Sequence, residues 1–369
     1  MDVKKSTALI YCEKEFGLVD GKTAAGLVRH SELYDIVGVI DSRLAGQDAG
    51  EALGEPKNGI PIFAHLDAAL SALGDTPKCY IYGKAPLDID ICAEERVLVK
   101  EAMSEGMDII NGLHQFFSED PEFVSVAKKH GVQIKDIRKS PQIQKLRVYT
   151  GQIVGVTAPV VAVLGTDCAC GKMTTAIELN KELNQLGIKS ILIATGQTAI
   201  MQGAKYGQSI DALVSQFVIG EIEYSVLQAV EHENPDIILV EGQGSVGHPA
   251  FMSSVGILKG SLPDAVILQH PPARKVRCDF PQLTMPTLES EIQLIEAISK
   301  AKVMAITINH EDLPELQKAK VVKDYEQRLK LPTLDVLTDG CQKLVQTLGV
   351  TFPELGRKLK RLDADKIPA

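Results

Sequence analysis

The stretch Val160-Val161-Ala162-Val163-Leu164-Gly165-Thr166-Asp167-Cys168-Ala169-Cys170-Gly171-Lys172-Met173-Thr174-Thr175 decides how this chain is read. Val160–Leu164 is a continuous apolar run of strand length, Gly165 and Gly171 bound a short turn, and Gly171–Leu186 has helical spacing. Strand, glycine-bounded turn and helix is the setting a phosphate loop needs. Glycine lets the backbone wrap tightly, so successive N–H groups converge on an anion. The helix N-terminus adds partial positive charge. In such a loop Lys172 reaches the terminal phosphates and a threonine hydroxyl holds Mg²⁺. Five residues separate the two glycines, one more than in the usual pattern, and Met173 follows the lysine so that Thr174 comes one place late. A phosphorylated small molecule is the expected ligand, held by Gly165, Thr166, Asp167, Cys168, Gly171, Lys172, Thr174 and Thr175. The plainer alternative is a tight strand–helix turn with an incidental lysine.

Working outward, Ser190–Ala194, Asp236–Val240, Ala265–Leu268 and Val303–Ile308 are further apolar runs bounded by polar residues. Such runs predict a parallel sheet covered on both faces. From about Asp312 the sequence predicts a helix, a short strand near Leu334–Leu337, a C-terminal helix and a polar tail. Upstream, Thr7–Cys12, Ile36–Asp41, Ile60–Phe63, Cys79–Tyr82, Asp108–Asn111 and Gln133–Ile137 read as strands. Thr23–Ser31, Leu66–Leu73, Glu94–Glu105 and Pro121–His130 read as helices. This alternation predicts another α/β unit, Rossmann-like, with helices on both faces. No G-x-G-x-x-G turn follows its first strand, so a dinucleotide fingerprint is missing. Gly17-Leu18-Val19-Asp20-Gly21-Lys22-Thr23 contains Gly-Lys-Thr, but only three residues lie between its glycines, and a helix start is the simpler reading. The polar segment from Lys139 to Gly155 marks the boundary. It gives domains 1–155 and 156–369, with a ligand cleft expected between them.

Composition narrows the function classes. A chain of 369 residues fits two domains at roughly 150 residues each. A net charge of −9 without a basic block argues against nucleic-acid backbone binding, and the absence of Trp argues against a stacking surface for single strands. The apolar stretch Ala8–Tyr11 is too short for a signal-peptide core, and no run reaches about 18 apolar residues, so neither export nor a membrane span is expected. Seven scattered cysteines fit a reducing cytoplasm better than a disulfide framework.

Two resemblances sharpen this. The spacing Gly165-Thr166-Asp167 to Gly171-Lys172 is similar to the loop of dethiobiotin synthetase. Asp236–Gly244, a strand ending in Glu241-Gly242-Gln243-Gly244, is similar to the strand that carries a Mg²⁺-holding Glu in that enzyme. Almost the whole chain, residues 7 to 345, resembles the family known as domain of unknown function 1611. The likeness rests on the phosphate loop, on Thr195-Gly196-Gln197-Thr198, and on Glu241-Gly242-Gln243-Gly244-Ser245 with His248-Pro249-Ala250. Gly21-Lys22-Thr23-Ala24, Gly112-Leu113-His114 and Asp136-Ile137-Arg138 add to it. The resemblance implies a Rossmann-like N-terminal domain, a P-loop NTPase-like parallel-sheet C-terminal domain and a homo-oligomer. It also implies N-acetyl transfer from acetyl-CoA to the amine of D-glutamate or a similar amino acid. Gln216 stands where the family usually carries an acid before Phe217, Gly220 and Glu223, and Asp335–Gly340 departs from the common form. Both put the acceptor amine in question more than the fold.

The loop alone does not choose between the phosphates of acetyl-CoA and ATP with Mg²⁺, so an ATP-dependent ligase or kinase stays open. Acyl transfer needs a base for the amine and a donor for the thioester oxygen. His248, Asp167 and Glu241 are candidate bases near strand ends, and His114 joins them by motif. A structural role is the alternative for each. Arg138 and Arg274 are candidates for a substrate carboxylate. Glu241 and Thr174 are the metal candidates if ATP and Mg²⁺ are the ligands. Gln197 joins the cofactor set by motif. Cys168 and Cys170 lie at a helix N-terminus, which lowers a thiol's pKa, although small residues permitting a tight turn explain them as well. Cys-x-Cys without further paired ligands is poor evidence for zinc.

Overall fold

The structure, a computed structural model, describes residues 5–86 and 90–364, with side chains as far as Leu362. The polar tail lies outside the described residues. The chain forms two compact units, residues 1–141 with 197–204, and residues 142–196 with 205–369.

The first unit holds a six-stranded parallel sheet of β1 (Ser6–Tyr11), β2 (Tyr34–Ile40), β3 (Ile62–Phe63), β4 (Cys79–Tyr82), β5 (Asp108–Asn111) and β6 (Ile134–Asp136). The order β3-β2-β1-β4-β5-β6 is that of dinucleotide-binding folds. The Rossmann-like expectation therefore holds in topology without the glycine fingerprint. Side chains alternate across β1: Leu9 and Tyr11 enter one core, Ala8 and Ile10 the other. Each buried aliphatic side chain contributes roughly 1.5–3 kcal/mol. The Gly-Lys-Thr at residues 21–23 starts the helix Lys22–Arg29. Thr23 is buried, and its hydroxyl lies 2.8 Å from that of Thr198 on the helix Gln197–Gln202. Gln202 Nε2 donates to the Gly26 carbonyl at 2.7 Å. These bonds place residues 197–204 in the first unit although their chain comes from the later half.

The second unit holds β7 (Val160–Gly165), β8 (Ser190–Ala194), β9 (Tyr206–Gly207), β10 (Ile237–Glu241), β11 (Ala265–His270), β12 (Lys302–Ile308) and β13 (Thr333–Leu334). They form one parallel sheet in the order β13-β12-β11-β7-β10-β8-β9. Alternation is again two-sided: Val160, Ala162 and Leu164 face one core, Val161 and Val163 the other. Parallel neighbours need crossovers, supplied in part by the helices Lys172–Gln185, Ser215–Glu233 and Leu288–Ser299.

Two expectations are corrected. The strand expected at Leu334–Leu337 ends at Leu334, because the Asp335 carboxylate accepts the Leu337 N–H at 3.1 Å and starts a helical turn at Val336–Asp339. The polar stretch 142–155, assigned from sequence to the first domain, belongs to the second unit. Two buried glutamates of the helix Ser215–Glu233 hold it there. Glu221 accepts the Arg147 N–H at 2.6 Å, and Glu223 accepts the N–H groups of Thr150 at 2.6 Å and Ile153 at 3.2 Å. No described helix is long and apolar enough to cross a membrane.

Candidate phosphate-binding site

β7 lies between β10 and β11, and the three parallel strands release their chains at one edge, where ligands of open α/β sheets bind. Three connections meet there: 166–171, 242–252 and 271–287. The first is turned by left-handed residues Ala169 (φ +46°) and Gly171 (φ +102°). The carbonyls of Thr166, Asp167, Cys168 and Ala169 face cations or thiols of the protein. Arg277 donates to the Thr166 carbonyl at 3.2 Å, and Lys172 Nζ to that of Asp167 at 2.5 Å. Arg274 donates to the carbonyls of Cys168 at 2.8 Å and Ala169 at 3.3 Å. The helix Lys172–Gln185 makes its first backbone bond from the Thr175 N–H to the Gly171 carbonyl at 3.0 Å. The N–H groups before it have no helical acceptor, which suits them to an anion.

The predicted loop residues divide by role. The Thr166 hydroxyl is buried 2.8 Å from His270 Nδ1, and burial pushes the His270 pKa down to about 4. Thr175 donates to Gln269 Oε1 at 2.7 Å, and Thr307 donates to the same oxygen. These two threonines therefore brace the loop against β11 and β12. Thr174 is half-buried and makes no side-chain hydrogen bond among the described residues, so its hydroxyl is the one left for a ligand.

Asp167 is fully buried. Burial alone raises its pKa, yet the Cys278 N–H at 2.9 Å and Arg274 at 2.8 Å hold it below the usual carboxylate range. Arg277 stands 3.4 Å from its other oxygen. Asp167 is thus an ionised anchor for two arginines and a poor proton acceptor. Arg274, expected on a substrate carboxylate, is engaged by Asp167, two loop carbonyls and both oxygens of Glu311 at 2.6 and 2.8 Å.

Glu241 ends β10. Its Oε2 accepts the N–H groups of Thr195 at 2.9 Å and Gly196 at 3.1 Å. Burial pushes its carboxyl up to about 7, against those N–H groups and Lys172, which pull it down. His248 is buried, its ring 4.6 Å from Phe251 and 5.7 Å from Phe280 between centroids. Its Nε2 lies 3.6 Å from Asp167 Oδ1, and burial, then Arg277, lowers its pKa. Its loop is held by Glu291, which accepts the N–H groups of Val246 and Gly247.

The other candidates belong to the first unit. His114 is exposed after β5. Arg138 is buried and donates to the Gly112 carbonyl. Gln197 stands 3.4 Å from the Thr23 hydroxyl. Asp136 accepts the N–H groups of Phe117 at 3.0 Å and Ser118 at 2.9 Å, so the Asp136-Ile137-Arg138 motif shapes the turn after β5.

Sequence reasoning passed over Arg277, Cys278, Gln269 and Glu311. The length of the connection 271–287 was the available signal for Arg277 and Cys278, since long ordered loops in compact domains are usually functional, whereas Gln269 in β11 and Glu311 after β12 carried none.

Residues 147–345 match the family described as Domain of unknown function (DUF1611_C) P-loop domain, and residues 42–140 match the Domain of unknown function (DUF1611_N) Rossmann-like domain. The chain is 30% identical over 277 residues to a D-glutamate N-acetyltransferase of Tritonibacter scottomollicae, covering 73% of this chain and 81% of that one. It is 32% identical over 257 residues to a D-glutamate N-acetyltransferase of Pseudoalteromonas sp, covering 68% and 75%. The crystal structure of a DUF1611 family protein from Anabaena variabilis ATCC 29413 matches with a TM-score of 0.85 at 30% identity, over 93% of this chain and 99% of that one. With both domains matched in order and in fold, this chain belongs to the DUF1611 family.

Proposed function

We propose that this protein is an N-acetyltransferase that moves acetyl from acetyl-CoA to the amine of D-glutamate or a closely similar amino acid. In this reading the loop 165–175 holds phosphates of CoA. The observation that supports it is the loop itself: its carbonyls are tied to Arg274, Arg277 and Lys172, and its helix-starting N–H groups lack helical acceptors. The relatives named D-glutamate N-acetyltransferase supply the reaction class.

In the transfer, the amine nitrogen attacks the thioester carbonyl, the C–N bond forms, and the C–S bond breaks with CoA leaving as its thiolate. The amine proton needs an acceptor poised near neutral pH. Glu241, with its carboxyl pushed up to about 7 by burial, is the titrating group that fits this role. Asp167 does not, because Arg274 and the Cys278 N–H hold it ionised.

The test is to incubate the full chain with acetyl-CoA and a panel of D- and L-amino acids. Thiol release and the mass of N-acetyl products are followed. D-glutamate should release CoA and gain one acetyl group, and Lys172→Ala should abolish this. CoA release no faster than an enzyme-free blank across the panel overturns the proposal.

The ligase or kinase reading has one observation in its favour. Thr174 keeps an open hydroxyl and Glu241 ends the neighbouring strand, a donor pair of the kind Mg²⁺ uses beside phosphates. Since Glu241 Oε2 is committed to two N–H groups, only Oε1 remains for a cation. Substrate-dependent ADP formation that requires Mg²⁺ would establish this reading in place of acetyl transfer.

A further inference from the structure

His248 was a candidate base from sequence, but its hydrogen bonding gives it a different character. Its Nδ1 accepts the Ala250 N–H at 3.2 Å. A backbone N–H can only donate, so Nδ1 presents its lone pair and the proton of the neutral ring sits on Nε2. That Nε2 is wholly buried and has no hydrogen-bond partner among the described residues. The nearest carboxylate oxygen, Asp167 Oδ1, lies at 3.6 Å, beyond hydrogen-bond range, and Arg277 also faces it. The ring cannot turn away freely, being packed against both Phe251 and Phe280, which also touch each other. A buried donor held in place without an acceptor is costly, so one beside a candidate phosphate loop calls for a partner from outside the chain.

We propose that His248 Nε2–H donates a hydrogen bond to an oxygen of the anionic ligand held on the loop 166–171, making His248 a ligand-binding residue and not the general base. This rests on the loop holding a phosphorylated ligand, as proposed above. The acceptor is an oxygen of either the phosphates or the thioester carbonyl, which share the same chemistry towards an N–H.

A metal ion is the competing occupant, because donor atoms of Asp167, Cys168 and His248 lie within 4.8 Å of one another. A metal would need the lone pair of Nε2, and a metal-bound histidine donates from its other nitrogen. Here the other nitrogen accepts. Arg274 and Arg277 already neutralise Asp167, and Lys172 is bonded to the same loop, so a further cation meets like charge.

The experiment has two arms. The full chain is labelled with ¹⁵N-histidine, and long-range ¹H–¹⁵N spectra are recorded at pH 7, with His248 assigned by its loss in His248→Phe. The expected result is a proton on Nε2 in the free protein and a shift of that resonance on adding pyrophosphate, CoA or acetyl-CoA. A shift with pyrophosphate or CoA identifies a phosphate oxygen. A shift with acetyl-CoA but with neither pyrophosphate nor CoA identifies the thioester end. A proton on Nδ1 overturns the proposal, and so does a Zn²⁺-dependent loss of the Nε2 proton.

The second arm compares affinities for CoA and acetyl-CoA. His248→Phe keeps the aromatic packing and removes the donor, and should weaken binding of the responding ligand roughly tenfold or more. His248→Gln restores a donor and should recover part of the loss, which separates the lost contact from misfolding. Unchanged affinity in both variants overturns the proposal while leaving the phosphate-loop reading intact. If the parent chain binds none of the probes, the phosphate-loop reading itself fails, and this contact with it.

Discussion

Glu241 shows how burial turns an ordinary carboxylate into a group that works near neutral pH. Its folded pKa of about 7 stands above the ordinary value of 4.5. The folded state therefore holds a proton that the unfolded state releases. The resulting stabilisation is complete below about pH 4.5 and is lost as pH rises through about 7. The difference of 7 minus 4.5, at roughly 1.4 kcal/mol per unit, puts the effect on the order of 3 kcal/mol. Glu241→Gln cannot titrate. Urea unfolding of this variant should show a flatter fall in stability between roughly pH 5 and 8 than the parent chain, together with loss of the proposed acetyl transfer. Parallel pH dependences in the two proteins would show that Glu241 does not titrate there. At this scale the sequence was partly legible. Lys172 and Glu241 could be found because their motif positions follow directly from a strand or a glycine. The division of labour between Thr174 and Thr175 could not be found, since it depends on Gln269, a residue of β11 far along the chain.

The pattern Phe217-x-x-Gly220-x-x-Glu223 illustrates what is visible, and what is hidden, in an element. The spacing can be read from sequence, where it raised a question about the substrate. Its structural role depends on a segment about 70 residues upstream. Glu223 accepts hydrogen bonds from the Thr150 N–H and hydroxyl and from the Ile153 N–H. Gly220 lets that segment run against the helix: an added Cβ would stand 2.3 Å from the Arg147 carbonyl oxygen and 2.5 Å from the Val148 carbonyl carbon. Both are backbone atoms, so relief requires the whole segment to move. Gly220→Ala should cost about 1–3 kcal/mol, lowering Tm by several degrees and speeding tryptic cleavage at Lys145 and Arg147. A variant with the parent's Tm and cleavage rate would mean that the helix does not hold residues 147–153. The long helix itself is amphipathic only weakly, with buried residues on several sides. This is why hydrophobic spacing gave little notice of it, whereas the short buried strands stood out.

For the whole molecule, alternation of strands and helices was enough to foresee two α/β units. The exchange of residues 197–204 into the first unit was not foreseeable, because the bond between Thr23 and Thr198 joins positions 175 apart. Function at this scale comes down to which ligand stabilises the native state, and linkage makes that measurable. A ligand at 100 times its dissociation constant adds about 2.7 kcal/mol, enough to move the melt by a few degrees in a chain of this size. Acetyl-CoA, CoA, ADP and ATP with Mg²⁺ are compared in parallel melts. If acetyl transfer is the reaction, acetyl-CoA and CoA raise Tm without Mg²⁺. The rise is lost in Lys172→Ala, because that variant loses the ammonium that bonds the Asp167 carbonyl and that the proposed reading places against the phosphates. ADP shares the pyrophosphate and should give a smaller rise, since it lacks the pantetheine arm. A rise confined to ATP and dependent on Mg²⁺ has a different physical origin, a cation held between phosphates and Glu241, and should disappear in Glu241→Gln. The two variants thus separate the readings: Lys172→Ala abolishes either rise, whereas Glu241→Gln leaves CoA binding intact and abolishes only the magnesium-dependent one.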